Sequence, residues 1–144
     1  MKPIHILLVE DNDGDILLIE EAFEEAKVAN NISVAKDGEK AIRFLNKKGE
    51  FKSAETPDLV ILDINLPRKN GHEVLQYIKE NENLKQIPVI MLTTSSSERD
   101  IIKSYKHHAN CYITKPVDVE DFIKAVLKIE NFWISLVQLP FPND

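Results

Sequence analysis

The chain reads as an α/β protein of the (βα)₅ kind, with five strands each followed by a helix. Three observations carry that reading. Short apolar runs rich in Val, Ile and Leu recur along the 144 residues. Longer segments with helical spacing of apolar residues lie between them. Three of the runs are apolar almost without interruption, as strands of a parallel sheet buried on both faces require.

In chain order, "IHILLV" (4–9) predicts the first strand and 14–27 the first helix. "ISVA" (32–35) and a helix over 38–47 follow, with Asp37 placed to cap it. "KKGEFKSAETPD" (47–58) is the one long polar connection, and Pro57 stops any helix before the third strand, "LVIL" (59–62). Asn70-Gly71 is a turn signal ahead of a third helix over 71–81, and Gly71 is expected to provide that turn. "PVIMLT" (88–93), a helix over 97–107 opened by Ser97 and Asp100, "CYIT" (111–114) and a longer helix over about 118–136 complete the set. One domain is expected over 1–136, with 137–144 as a frayed tail.

The totals narrow the function. A composition of 43% hydrophobic and 29% charged residues is that of a globular protein, and a net charge of −6 with no basic run argues against nucleic acid or anionic lipid as partner. No apolar stretch approaches the ~20 residues that span a bilayer. The N-terminal apolar run is too short and too soon closed by acids for a signal peptide, so a cytoplasmic location is expected. A single cysteine, Cys111, excludes an internal disulfide and reads as a small core residue of the last strand.

In an open parallel sheet, ligands gather beyond the carboxyl ends of the strands. The first strand delivers Glu10 and Asp11 there, the third Asp63, the fourth Thr93 and the fifth Lys115 followed by Pro116. Clustered carboxylates repel, and a hard divalent cation such as Mg²⁺ neutralises them through oxygen ligands while keeping waters and accepting phosphate. Mg²⁺, an ammonium and a hydroxyl together suit the oxygens of a phosphoryl group in transfer. A carboxylate can be the nucleophile, and Asp63 is the best candidate, with the acidic pair on one side and Lys115 on the other. Asp13 and Asp15 belong instead to a helix start, where they face the positive end of the dipole. His5, His72, His107 and His108 show no metal-ligand spacing and read as surface residues.

"LLVEDN", "LVILDINLP", "NG", "PVIMLT" and "CYITKP" occur in that order and resemble the receiver domain of two-component response regulators, over residues 4 to about 130. The resemblance implies a flavodoxin-like three-layer fold with strand order 2-1-3-4-5. It implies that Asp63 is phosphorylated by a histidine kinase. Asp11 and Asp63 would ligate Mg²⁺ (or Mn²⁺) directly, Glu10 through water, and Asn65 through its backbone carbonyl. Lys115 would bind the phosphoryl oxygens, and Thr93 would hydrogen-bond one of them and couple to Tyr112, the aromatic switch position. The side chains of Asn65 and Thr94 would tune autodephosphorylation, and the Lys115–Pro116 bond would be cis. Self-catalysed gain and loss of the phosphoryl group is then the only chemistry, with no external substrate. No output domain is expected, so output is a protein contact with a downstream partner that the sequence does not name.

"VEDN", "DINLPRKNG", "SYKHHANCYITKPV" and "IENFW" are closer still to stand-alone receivers paired with phytochrome-type kinases. His108 departs from the glycine that closes the fourth helix in many receivers. The last helix carries Val119, Phe122, Ile123, Val126, Ile129 and Trp133 along one broad face. Leu127, Phe132, Ile134 and Leu136 are left over, and Phe132, Trp133 and Ile134 become candidate interface residues of an isologous dimer. A core-wrapping C-terminal tail is the alternative.

Two rival readings use the same elements. A phosphatase of the haloacid-dehalogenase type needs an acidic residue two positions after its nucleophile, where this chain has Asn65. A flavin-binding flavodoxin relative needs a Ser/Thr-rich phosphate loop after the first strand, and "EDNDGD" would repel a phosphate.

Overall fold

A computed structural model of the chain describes residues 3–24, 29–93, 111–114 and 120. Its elements are β1 (Ile4–Val9), α1 (Asp13–Glu24), β2 (Asn30–Ala35), α2 (Gly38–Leu45), a 3₁₀ turn (Gly49–Phe51), β3 (Leu59–Asp63), α3 (Gly71–Glu80), β4 (Val89–Thr93) and β5 (Cys111–Thr114). All neighbouring strands are parallel, in the order β2-β1-β3-β4-β5. The fold is flavodoxin-like. The helix expected over 97–107, its Ser97 cap and the 137–144 tail lie outside the described residues. So does the last helix, apart from Glu120, which is helical and exposed.

Parity along the strands makes the layers. Leu7 and Val9 of β1, Val60 and Leu62 of β3 and Met91 of β4 join Phe44 of α2 and Leu75 of α3 in one apolar cluster. Ile6, Leu8, Ile61, Ile90 and Leu92 point the other way and pack on Ile16, Ile19 and Phe23 of α1. Every residue of β3 is buried, as its unbroken apolar run predicts. The long connection after α2 holds a short helix that sequence periodicity did not show. Phe51 in that turn meets the Phe44 ring at 5.3 Å between centroids, and so ties the connection to the core.

Helix starts are fixed by side chains. Asp37 caps α2 by accepting from the Lys40 amide at 2.7 Å. Asn70 and Glu73 form a reciprocal capping box on α3. Asp13 and Asp15 occupy the first turn of α1, and Asp13 also meets Lys36 at 2.7 Å. The cap itself is Asn12, whose side chain accepts from the Asp15 amide at 2.9 Å.

Two histidines depart from the surface reading. His72 is buried, because as the second residue of α3 it lies three positions before the fully buried Leu75 on the face that packs against the sheet. His5 is half-buried in β1, with Nε2 2.9 Å from the Ser33 hydroxyl.

Lys79 closes α3 onto the following loop by donating from Nζ to the carbonyls of Ile87 at 2.8 Å and Lys85 at 3.1 Å. Burial lowers its pKa below the ordinary 10.5. The unfolded chain therefore binds more protons than the folded one between the lowered value and 10.5, so stability rises with pH through that window and the gain is lost as pH falls through the lowered value. Lys79→Met should flatten this alkaline rise, as chemical denaturation across the window will show. An unchanged pH slope would contradict it.

Candidate functional site

Strand order places the site. After β1 the chain moves to β2 on one side, then to β3 on the other, so direction reverses between β1 and β3. Val9 pairs with Leu62 across that boundary. The next residues are Glu10, just past the end of β1, and Asp63, the last residue of β3, side by side at the carboxyl edge of the sheet. β1 keeps pairing with β2 to its end, through the Glu10 amide to the Ala35 carbonyl at 3.0 Å.

Glu10, Asp11 and Asp63 each offer a carboxylate oxygen, and these atoms lie within 4.8 Å of one another. Glu10 and Asp63 are buried (0% and 3% exposed) while Asp11 faces solvent. Buried carboxylates this close are costly unless partnered. The loops supply part of the compensation from backbone amides. Glu10 Oε2 accepts from the Asp11 amide at 3.0 Å and from that of Asn12 at 3.4 Å. Asp63 Oδ1 accepts from the Asn65 amide at 2.9 Å, which fixes the rotation of the carboxylate. A set made wholly of oxygen donors, carrying three formal charges and open on the Asp11 side, fits a hard divalent cation.

The other predicted residues fall as follows. Thr93 ends β4 one position after Leu92, which pairs with Asp63, and is itself in register with Thr114 of β5. Tyr112 lies in β5 opposite Met91, and Cys111 opposite Ile90. Lys115, Thr94, Pro116, Phe132, Trp133 and Ile134 lie outside the described residues, as do His107 and His108.

Gly71 is not in the turn but is the first residue of α3, directly after the Asn70 cap. Its amide donates to the Ile64 carbonyl at 2.9 Å. A Cβ there would stand 2.3 Å from the Asp63 carbonyl oxygen and 2.6 Å from the Ile64 Cα. The missing side chain is what lets α3 start against the end of β3. Sequence reasoning also passed over Gly38, whose Cβ would stand 1.8 Å from the Lys69 carbonyl oxygen in the β3–α3 loop. The only signal for it was the Asp-Gly pair, which the cap reading had already absorbed.

Comparisons with known proteins agree with one another. Residues 6–127 match the response regulator receiver domain family. Response regulator Rcp1 of Synechocystis sp. is 45% identical over 138 residues, which cover 96% of this chain and 94% of Rcp1. Among solved structures, the phosphorylated cyanobacterial phytochrome response regulator RcpA is similar with a TM-score of 0.83 at 45% identity, over 94% of this chain and 96% of that one. The Mn²⁺-bound form of Rcp1 gives 0.81 at 45% identity, over 91% and 94%.

Proposed function

Because this chain belongs to the response regulator receiver domain family, we infer that it takes a phosphoryl group from a histidine kinase onto Asp63 and changes its protein contacts in response. The observation that carries the choice of Asp63 is its position. It is buried at the switch point, held by the Asn65 amide, with the carboxylates of Glu10 and Asp11 within 4.8 Å. In the transfer a carboxylate oxygen of Asp63 bonds to phosphorus as the bond from phosphorus to the donor nitrogen breaks.

Glu10, Asp11 and Asp63, with the Asn65 carbonyl, would hold Mg²⁺, and Mn²⁺ in its place. The all-oxygen donor set supports this, and a Mn²⁺-bound form of Rcp1 has been solved. Bound there, the cation supplies positive charge to the carboxylates and to the phosphoryl oxygens. Thr93 and Lys115 bind those oxygens from β4 and from the end of β5. Thr94 and the Asn65 side chain set water access, and Tyr112 reports occupancy as the switch aromatic. The Lys115–Pro116 peptide is cis in this reading. The reaction stays on the protein itself, as phosphorylation and autodephosphorylation, with no external substrate.

The kinase is phytochrome-like, a reading supported by RcpA's being a phytochrome response regulator. The exchange takes place in the cytoplasm, and a homodimer through Phe132, Trp133 and Ile134 of the last helix is the simplest contact to be switched. A downstream protein receives the output.

The test is incubation with a small acyl-phosphate donor, read by intact mass. One phosphoryl adduct should form with Mg²⁺ and none after chelation. An adduct that forms equally in chelator, or fails to form with Mg²⁺, overturns the reading.

A further inference from the structure

The loop that carries Asn65 is pinned at two places. At its far end α3 begins against β3 through Gly71. In its middle it lies on the start of α2. Arg68 takes a left-handed backbone conformation (φ 67°), rare for a residue with a side chain, and the next carbonyl, that of Lys69, comes to rest on Gly38. A Cβ on Gly38 would stand 1.8 Å from that oxygen, 2.6 Å from the carbonyl carbon and 2.8 Å from the Lys69 Cβ. Two of these three atoms are backbone, so no side-chain rotation relieves the overlap. The seam is joined on either side of the contact. The Gly38 amide points to the Pro67 carbonyl at 3.4 Å, and Arg68 reaches Glu39 at 3.7 Å. Asp37, buried and capping α2, fixes where Gly38 sits.

We propose that Gly38 is a positioning residue for phosphorylation: it seats the 65–70 loop on α2 and so sets where Asn65 holds Asp63. A side chain at position 38 must push the loop outward by an ångström or more. The Asn65 amide, which donates to Asp63 Oδ1, lies four residues from the contact along a short loop. The left-handed Arg68 backbone stands one residue before that contact and aims the Lys69 carbonyl at Gly38. Gly38 thus acts through the loop and touches neither the phosphoryl group nor the cation. The proposal rests on the reading of Asp63 as phosphoacceptor.

The experiment compares Gly38→Ala with Gly49→Ala in the full chain. Gly49 also has a positive φ (60°), but open space surrounds it, and it belongs to the 3₁₀ turn rather than to the loops of the site. Both substitutions should lower stability, one by overlap and one by backbone strain. Only Gly38→Ala should weaken Mg²⁺ binding and slow adduct formation at saturating Mg²⁺. Loss of a group that orients a metal ligand suggests roughly 10- to 100-fold for each. Equal Mg²⁺ affinity and equal adduct rate in the folded Gly38→Ala protein and the wild type would overturn the proposal. Amide exchange of the wild type is a second arm that needs no variant to fold. Mg²⁺ should slow exchange at Gly38 together with Asn65, and protection at Asn65 alone would overturn the coupling. Failure of the underlying reading is distinguishable, since the wild type itself would then carry no adduct on Asp63.

Discussion

Asp63→Asn should abolish the phosphoryl adduct while leaving the protein folded and, without metal, more stable than the wild type. The amide keeps the size of the carboxylate and an oxygen to accept from the Asn65 amide, so β3 and its loop need not move. It cannot form the acyl phosphate. It also removes one of three negative charges whose oxygens lie within 4.8 Å, two of them on buried residues. At these separations relief of repulsion is worth on the order of 1 kcal/mol, which raises the unfolding midpoint by roughly 2–4 °C for a domain of this size. Addition of Mg²⁺ should then stabilise the wild type far more than the variant, because a ligand stabilises only in proportion to its binding. Thermal unfolding of both proteins, with chelator and with Mg²⁺, reads the two stability effects, and intact mass reads the loss of the adduct. A variant less stable than the wild type in chelator would mean that the contacts the carboxylate loses outweigh the relief of repulsion, contrary to the prediction.

Gly71→Ala should be strongly destabilising. The added carbon would lie 2.3 Å from the Asp63 carbonyl oxygen and 2.9 Å from its carbonyl carbon. The neighbours are backbone atoms of a fully buried strand end, flanked by the hydrogen bond from the Ile64 amide to the Leu92 carbonyl at 2.9 Å. Ordinary overpacking of a core costs about 1–3 kcal/mol because side chains can shift. Here α3 must move as a unit or the end of β3 must bend, so a loss of roughly 3 kcal/mol or more is expected. Urea denaturation measures it. A loss below about 1 kcal/mol would show that the start of α3 tolerates displacement, contrary to the tight approach.

Most of the architecture was legible because its causes are local. The nearly unbroken apolar runs of β1, β3 and β4 are buried from Ile6 to Val9, throughout β3 and from Val89 to Leu92, and that implies a parallel sheet covered on both sides. Asp37 shows as a helix cap from its neighbours in sequence. The carboxylate group was legible for a different reason. Once five strands are placed in a sheet, their carboxyl ends share one rim, so Glu10, Asp11 and Asp63 meet although some fifty residues separate them.

What escaped depends on approach between distant segments, which periodicity does not encode. Gly38 and Gly71 matter because of backbone atoms in another loop or strand, and the Asp-Gly and Asn-Gly pairs of the sequence signal a turn or helix start there but not that approach. His72 looked like a surface residue because its type is polar, yet helical phase put it on the packed face of α3. The 3₁₀ turn at Gly49–Phe51 was hidden in a polar stretch whose one aromatic residue, Phe51, anchors it.

Residue-level mapping of the phosphoryl group tests the central claim most directly. The wild type is phosphorylated in Mg²⁺, reduced with borohydride to convert an aspartyl phosphate to homoserine, digested and sequenced by mass spectrometry. Homoserine at position 63 and nowhere else is the predicted result. Homoserine at another position, or an unreduced adduct on a histidine or hydroxyl residue, would contradict it.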